Sequence, residues 1–341
     1  MKVDVGKALI TCAGVLLLCS PAHALPGSSG PAKRTPRAQE RQAPPRPFAP
    51  ESFWNRPLRD DAPLDALSDI YVADLQRQVR QWGTSMNTTR YGIPVYTVPG
   101  DQPTVRVALP NPAPPRRALL QAAWEDVPLP ASARPSPDSD GRLVVLQPST
   151  DTMWEFWRLH RRLDGWHAGW GGRMIGVSTN IGTYTDPPGW GASATGIPIL
   201  GGLMRIDELR ERRINHGLAL TIPEARARVY SWPASRTDGQ VESPTAIPQG
   251  TRFRLDPRLD VSKLDVHPLV REMARAAQRY GLVVRDRGGG VGFYGEDPGP
   301  LGWNPYSGIG GIFGDRSPSS LMRQFPWKRL QALRTDLRVE P

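Results

Sequence analysis

His216 stands in "NHGLALTI" (215–222), at the polar end of a run in which Ile214, Leu218 and Leu220 alternate onto one apolar face. An imidazole placed there has two uses. It is a core histidine bonded to a backbone carbonyl, or it marks a cleft rim and works as general acid or base. The following residues give the second use its weight. "PASRTDG" (233–239) supplies Arg236 and Asp238 in a turn, and "GTRFRLDP" (250–257) supplies Arg252, Arg254 and Asp256. A guanidinium gripping a carboxylate beside a histidine that removes a neighbouring proton is the constellation of a uronic-acid lyase. Glu155 with Asp238 or Asp256 would instead make the carboxylate pair of a glycoside hydrolase. The catalytic candidates are therefore His216, Glu155, Arg236 and Asp238.

Aromatic residues extend the same theme. "TMWEFWRLH" (152–160) reads as a strand that points Glu155 and Trp157 to one side and Trp154 to the other. A flat ring beside an acid suits a sugar site: the ring stacks on the C–H face of a pyranose, and desolvation raises the acid's pKa. The competing use is a core tryptophan beside an acid paired to arginine. "GWHAGWGGRMIG" (165–176) adds Trp166 and Trp170 among glycines, so Trp157, Trp166, Trp170 and Arg252 are the substrate-binding candidates. "GVGFYG" (290–295) matches a dinucleotide fingerprint only in letters, because the "EDPGPLG" after it cannot open the helix that would hold a pyrophosphate. A hairpin turn through Gly288–Gly290 accounts for those glycines, and no cofactor or metal site is expected.

Mainly strands must position these side chains. Short alternating or β-branched runs occur at 93–98, 104–109, 142–147, 152–159, 215–222, 251–256, 282–286 and 291–294, between Pro, Gly, Asp and Ser turns. Helical periodicity is confined to 65–83, 205–213, 267–281 and a 319–334 stretch interrupted at Pro326. At 65–83 the apolar face would carry Ile70, Tyr71, Leu75, Val79 and Trp82. With 37 prolines and 34 glycines the chain does not suit a regular βαβ array. The expected fold is mainly β, a β-sandwich or jelly roll with a few peripheral helices, in a single domain over 51–341.

The N-terminal residues predict export. Lys2 and Lys7 precede the end of the 12-residue apolar run "ALITCAGVLLLC" (8–19), and Ala22-His23-Ala24 offers a small-x-small cleavage site. That is a signal peptide over 1–24, too short to span a bilayer. A lipidated start at Cys19 is disfavoured by the large Leu18 before it. Both cysteines, Cys12 and Cys19, fall within this leader, so no disulfide is expected in a mature secreted chain. Residues 25–50, rich in Pro and Arg, read as a disordered tether. The net charge of +10 rests on 43 basic residues, nearly all arginine and interspersed with acids. No nucleic-acid module accompanies it, so the expected partner is a polysaccharide or cell-wall glycan, acidic or neutral, met by a monomer without a membrane span.

Five segments, "FAPESFWNRPL", "INHGLAL", "PASRTDG", "IPQGTRFRLDP" and "ARAAQRYGLVVRDRGGG", make residues 47–297 resemble a family of secreted, largely uncharacterised proteins common in actinobacteria. Gly217 stands where that family more often carries alanine. The resemblance implies a secreted, mainly β domain and adds no activity. The leading expectation is a secreted carbohydrate-active enzyme, lyase or hydrolase. A non-catalytic lectin-like module is the alternative, and a purely structural envelope protein a third.

Overall fold

The structure, a computed structural model, describes residues 46–340. The expected signal peptide and most of the expected tether lie outside the described residues. Strand outweighs helix only narrowly, 25% against 21%, and it is spread over several sheets, so the chain is β-rich at that coarse level. The largest sheet has six strands, in spatial order Thr84–Asn87, Val291–Tyr294, Leu218–Ile222, Leu282–Arg287, Arg252–Leu255 and Leu330–Ala332. Two of its pairings are parallel, Thr84–Asn87 with Val291–Tyr294 and Leu282–Arg287 with Leu218–Ile222, and the rest antiparallel. A four-stranded sheet joins Val95–Thr97, Leu143–Gln147, Thr152–Trp157 and Trp170–Ile175. Smaller sheets of three and two strands complete the set.

The hairpin expected at Gly288–Gly290 is replaced by another connection. The strands on either side of these glycines are not neighbours, because Leu218–Ile222 runs between them. The glycines thus strap across the end of that central strand, and the Gly288 amide donates to the Ile222 carbonyl at 3.1 Å. An added Cβ at Gly288 would sit 2.6 Å from Thr221 Oγ1, so the strap can lie this close only without a side chain.

Helices cover the six-stranded sheet. Pro268–Arg279 opens with proline in its first turn and buries Leu269, Val270, Met273, Ala274 and Ala277 against the sheet. Ser68–Trp82 buries Tyr71, Val72 and Leu75 but leaves Ile70 and Trp82 exposed, which corrects the wider face read from periodicity. Among the described residues no helix is long and apolar enough to cross a membrane. The folded part also begins earlier than the expected boundary at 51. Phe48 and Ala49 are buried, the Ala49 amide donates to the Asn180 carbonyl, and the Asn55 side-chain amide bonds three carbonyls from Pro47 to Ala49.

Candidate functional site

The central strands of both larger sheets are apolar, and charge accumulates where they end. Leu282, Val283 and Val284 are fully buried, then the same strand delivers Arg285 and Asp286. Asp286 lies at the floor of a cleft of about 460 Å³ whose rim carries Arg116, Asp140, Trp157, Trp170, Asp238 and Arg287. The Asp286 carboxylate accepts from the Ala194 amide at 2.8 Å and from the Tyr294 hydroxyl at 3.3 Å. Arg142 then ties the floor to the rim. Its Nη2 lies 2.9 Å from Asp140 Oδ2 and 3.3 Å from Asp286 Oδ2, so one guanidinium nitrogen holds both carboxylates. The opposing attractions outweigh the loss of hydration and keep Arg142 charged, its pKa raised.

Two acids at this cleft differ in environment. Asp140 is fixed from both sides, by Arg142 and by the indole N–H of Trp157 at 3.2 Å. Asp238 is half-buried, with 46% of its side chain exposed, and accepts from the Gln249 amide at 2.7 Å. Partial burial raises the Asp238 pKa, and the nearby charge of Asp286 adds to the rise; the Gln249 bond opposes it. Arg287, 3.9 Å away, also opposes the rise. A carboxyl with a raised pKa beside carboxylates held by a cation is a division of labour suited to acid–base chemistry.

Arg236 lines the same cleft, but its donors are committed. Nε donates to the Ala194 carbonyl, Nη1 to those of Gly189 and Trp190, and Nη2 to those of Gly191 and Ser193. Five carbonyls of one loop converge on one guanidinium, leaving it no fork to grip a substrate carboxylate. The loop's amides are anchored in turn, Ala192 and Ala194 to Glu155 and Asp286 at 2.7 and 2.8 Å. Glu155 is fully buried beneath this loop, with Ile199 donating to its second oxygen at 2.8 Å. Burial lifts its pKa to about 7 against the pull of those two amides. The expectation that Glu155 shares an open face with Trp157 therefore fails, because its strand is buried on both sides.

No family model, curated protein or solved structure matches the chain. Function must be argued from the geometry alone.

The expected convergence of Glu155, His216 and Arg236 is also absent. His216 is buried beside a separate cavity and donates Nδ1–H to its neighbour Gly217's carbonyl at 2.7 Å, while Nε2 meets Glu208 at 3.1 Å. With Nδ1 already donating, only a proton on Nε2 makes that second contact attractive, so the pair is an imidazolium and a carboxylate. Burial alone would lower the His216 pKa, but Glu208 wins and raises it. Burial would raise Glu208, and His216 wins and lowers it. Arg252 lies on yet another surface, spending its guanidinium on the Tyr280 carbonyl. Trp166 is buried in the core with Arg161 against its ring. Of the candidates, Asp238, Arg236, Trp157 and Trp170 are brought together. Asp140, Arg142, Asp286 and Arg287 were missed. Asp286 had a signal, a charged pair closing the apolar run "LVVRD", whereas nothing in "SPDSDGR" marks Asp140. Among the described residues no three His, Cys, Asp or Glu side chains converge as a metal site requires.

Proposed function

We propose that this chain is a secreted glycoside hydrolase. The observation that carries the reading is the cleft shared by Asp238, Asp140 and Asp286 with the indoles of Trp157 and Trp170. Asp238 is the proton donor: it is accessible, and partial burial raises its pKa above the ordinary aspartate value. It gives its proton to the departing glycosidic oxygen. Water adds to the anomeric carbon and passes its own proton to Asp140, whose carboxylate Arg142 and Trp157 hold in place. Asp286 stays at the floor, where it orders Arg142 and the Ala194 amide and so fixes the geometry around Asp140. Elimination is the weaker reading, because none of His160, His167, His216 and His267 lines this cleft and Arg236 has no free donor.

The test is release of reducing ends from polysaccharides by the wild type and by Asp238→Asn and Asp140→Asn. Hydrolysis lost in both variants, with folding intact, is the expected result. Unsaturated products absorbing in the ultraviolet would point to elimination, and binding without cleavage to the lectin-like alternative.

A further inference from the structure

We infer that the cleft at Asp238, Asp140 and Asp286 is the middle of a longer trough, and that the chain cuts internal bonds of a glycan that is neutral on one side of the cleavage point. The inference rests on the hydrolase reading. Its basis is a row of side chains across the six-stranded sheet. Ser85 is in register with Gly292, Gly292 with Thr221, and Thr221 with Asp286. Residues in register on neighbouring strands share a face, so the row leads from the sheet edge to the floor of the cleft. Three inter-strand steps at about 4.8 Å make it about 14 Å long.

The far part of the row is a cavity of about 510 Å³ that meets the first cleft at Asp140, Arg142 and Arg287, which line both. Its floor is kept low by small residues. A Cβ on Gly292 would stand 3.2 Å from both the Ser85 carbonyl and Thr221 Cγ2. Away from the junction the lining is uncharged: Ser85, Asn87 and Thr221 below, Trp82 and Tyr91 at the walls. Trp82 is 47% exposed and Tyr91 37%, although both are large aromatics. Thr221 is buried and its hydroxyl has no hydrogen-bond partner among the described residues. The Gly288 strap covers that hydroxyl, so Thr221 serves the trough as a small floor residue rather than as a bond to the ligand. Amide, hydroxyl and aromatic side chains without charge recognise a hydroxyl-bearing ring rather than a uronate or sulfate. The other arm, with Trp170 and the cation of Arg116, is not so restricted. An enzyme with sugar-accepting walls on both sides of its acids seats a chain across the cleavage point, and so cuts within it.

The experiment offers soluble β-glucan, xylan, arabinan, galactan and mannan, with aryl monoglycosides beside them. Viscosity should collapse while reducing ends are still few, and early products should form a ladder of oligosaccharides. Trp82→Ala and Tyr91→Ala should lower kcat/KM on the polymer roughly tenfold each, as loss of a stacking partner does. A single small product from the first minute, or full polymer activity in both variants, overturns the internal-cleavage inference and leaves the hydrolase reading standing. If no polymer or glycoside is cleaved, both fall together.

Discussion

Asp238, Glu155 and His216 were equally plausible acids or bases on paper, and their surroundings now give them different tasks. Asp238→Asn should reduce hydrolysis by about 10²–10⁴-fold without lowering the melting temperature, because the side chain is half exposed. The wild-type rate should fall as pH rises through the elevated Asp238 pKa, since only the protonated acid can donate; a rate that climbs with alkalinity would remove Asp238 from that role. Glu155→Gln should act on stability instead. The carboxylate accepts from Ala192 and Ile199 on separate oxygens, and a glutamine offers only one oxygen whichever way it is turned. One buried N–H must then face an NH₂ group, at a cost of about 1–3 kcal/mol readable by denaturant unfolding. His216→Ala should likewise destabilise while sparing the activity of correctly folded enzyme. Glu208 has a depressed pKa, so its contribution holds above its unfolded value of about 4.3 and is lost as pH falls through the folded one. His216 has a raised pKa, so its contribution holds below about 6.5 and is lost as pH rises through the folded one. The stability gap between wild type and His216→Ala should be widest between about pH 4.3 and 6.5. A gap independent of pH would mean that packing, rather than charge, is what His216 provides.

At the scale of elements, the 189–197 segment is organised by charge more than by secondary structure. Arg236 gathers the carbonyls of Gly189, Trp190, Gly191, Ser193 and Ala194, while Glu155 and Asp286 take the amides of Ala192 and Ala194. Arg236→Lys keeps the charge but replaces a planar five-donor fork with a point of three. Amide exchange should therefore speed up across 189–197 and leave Leu282–Arg287 unchanged; uniform protection would show the loop to be held by something else. Such a loop is invisible to periodicity, which is why Arg236 read as a substrate ligand. Periodicity did locate the long helices and most inner strands, including Leu143–Gln147, Thr152–Trp157 and Leu282–Arg287, because the helices repeat apolar residues every turn and the strands are built mainly from, or begin with, buried apolar residues. It missed Thr84–Asn87 and the helix Pro115–Ala123, the first for being four residues of mixed polarity and the second for its proline- and arginine-rich start. The sequence put Asp238 in a turn and offered Glu155 as its partner, but Glu155 is sealed beneath the loop. Asp140, from a loop, and Asp286, from a strand of the other sheet, meet only through Arg142, a long-range fact that no local pattern contains.

For the whole molecule, the N-terminal boundary has a measurable consequence. A chain beginning at Glu51 discards the buried Phe48 and the three carbonyls that occupy the Asn55 amide. It should be less stable than one beginning at Arg46 by roughly 3–5 kcal/mol, the usual loss for emptying a phenylalanine site. Equal unfolding curves would return those residues to the tether. The arginine clamp has a consequence of another kind, in the tempo of the reaction. A segment with five carbonyls gathered on one guanidinium is held in one position, so it does not swing over a bound sugar and back. Catalysis in such a cleft waits for no gate. Turnover should then show no lag or burst that tracks loop opening, and solvent viscosity should slow it only as far as it slows the arrival and departure of the chain itself.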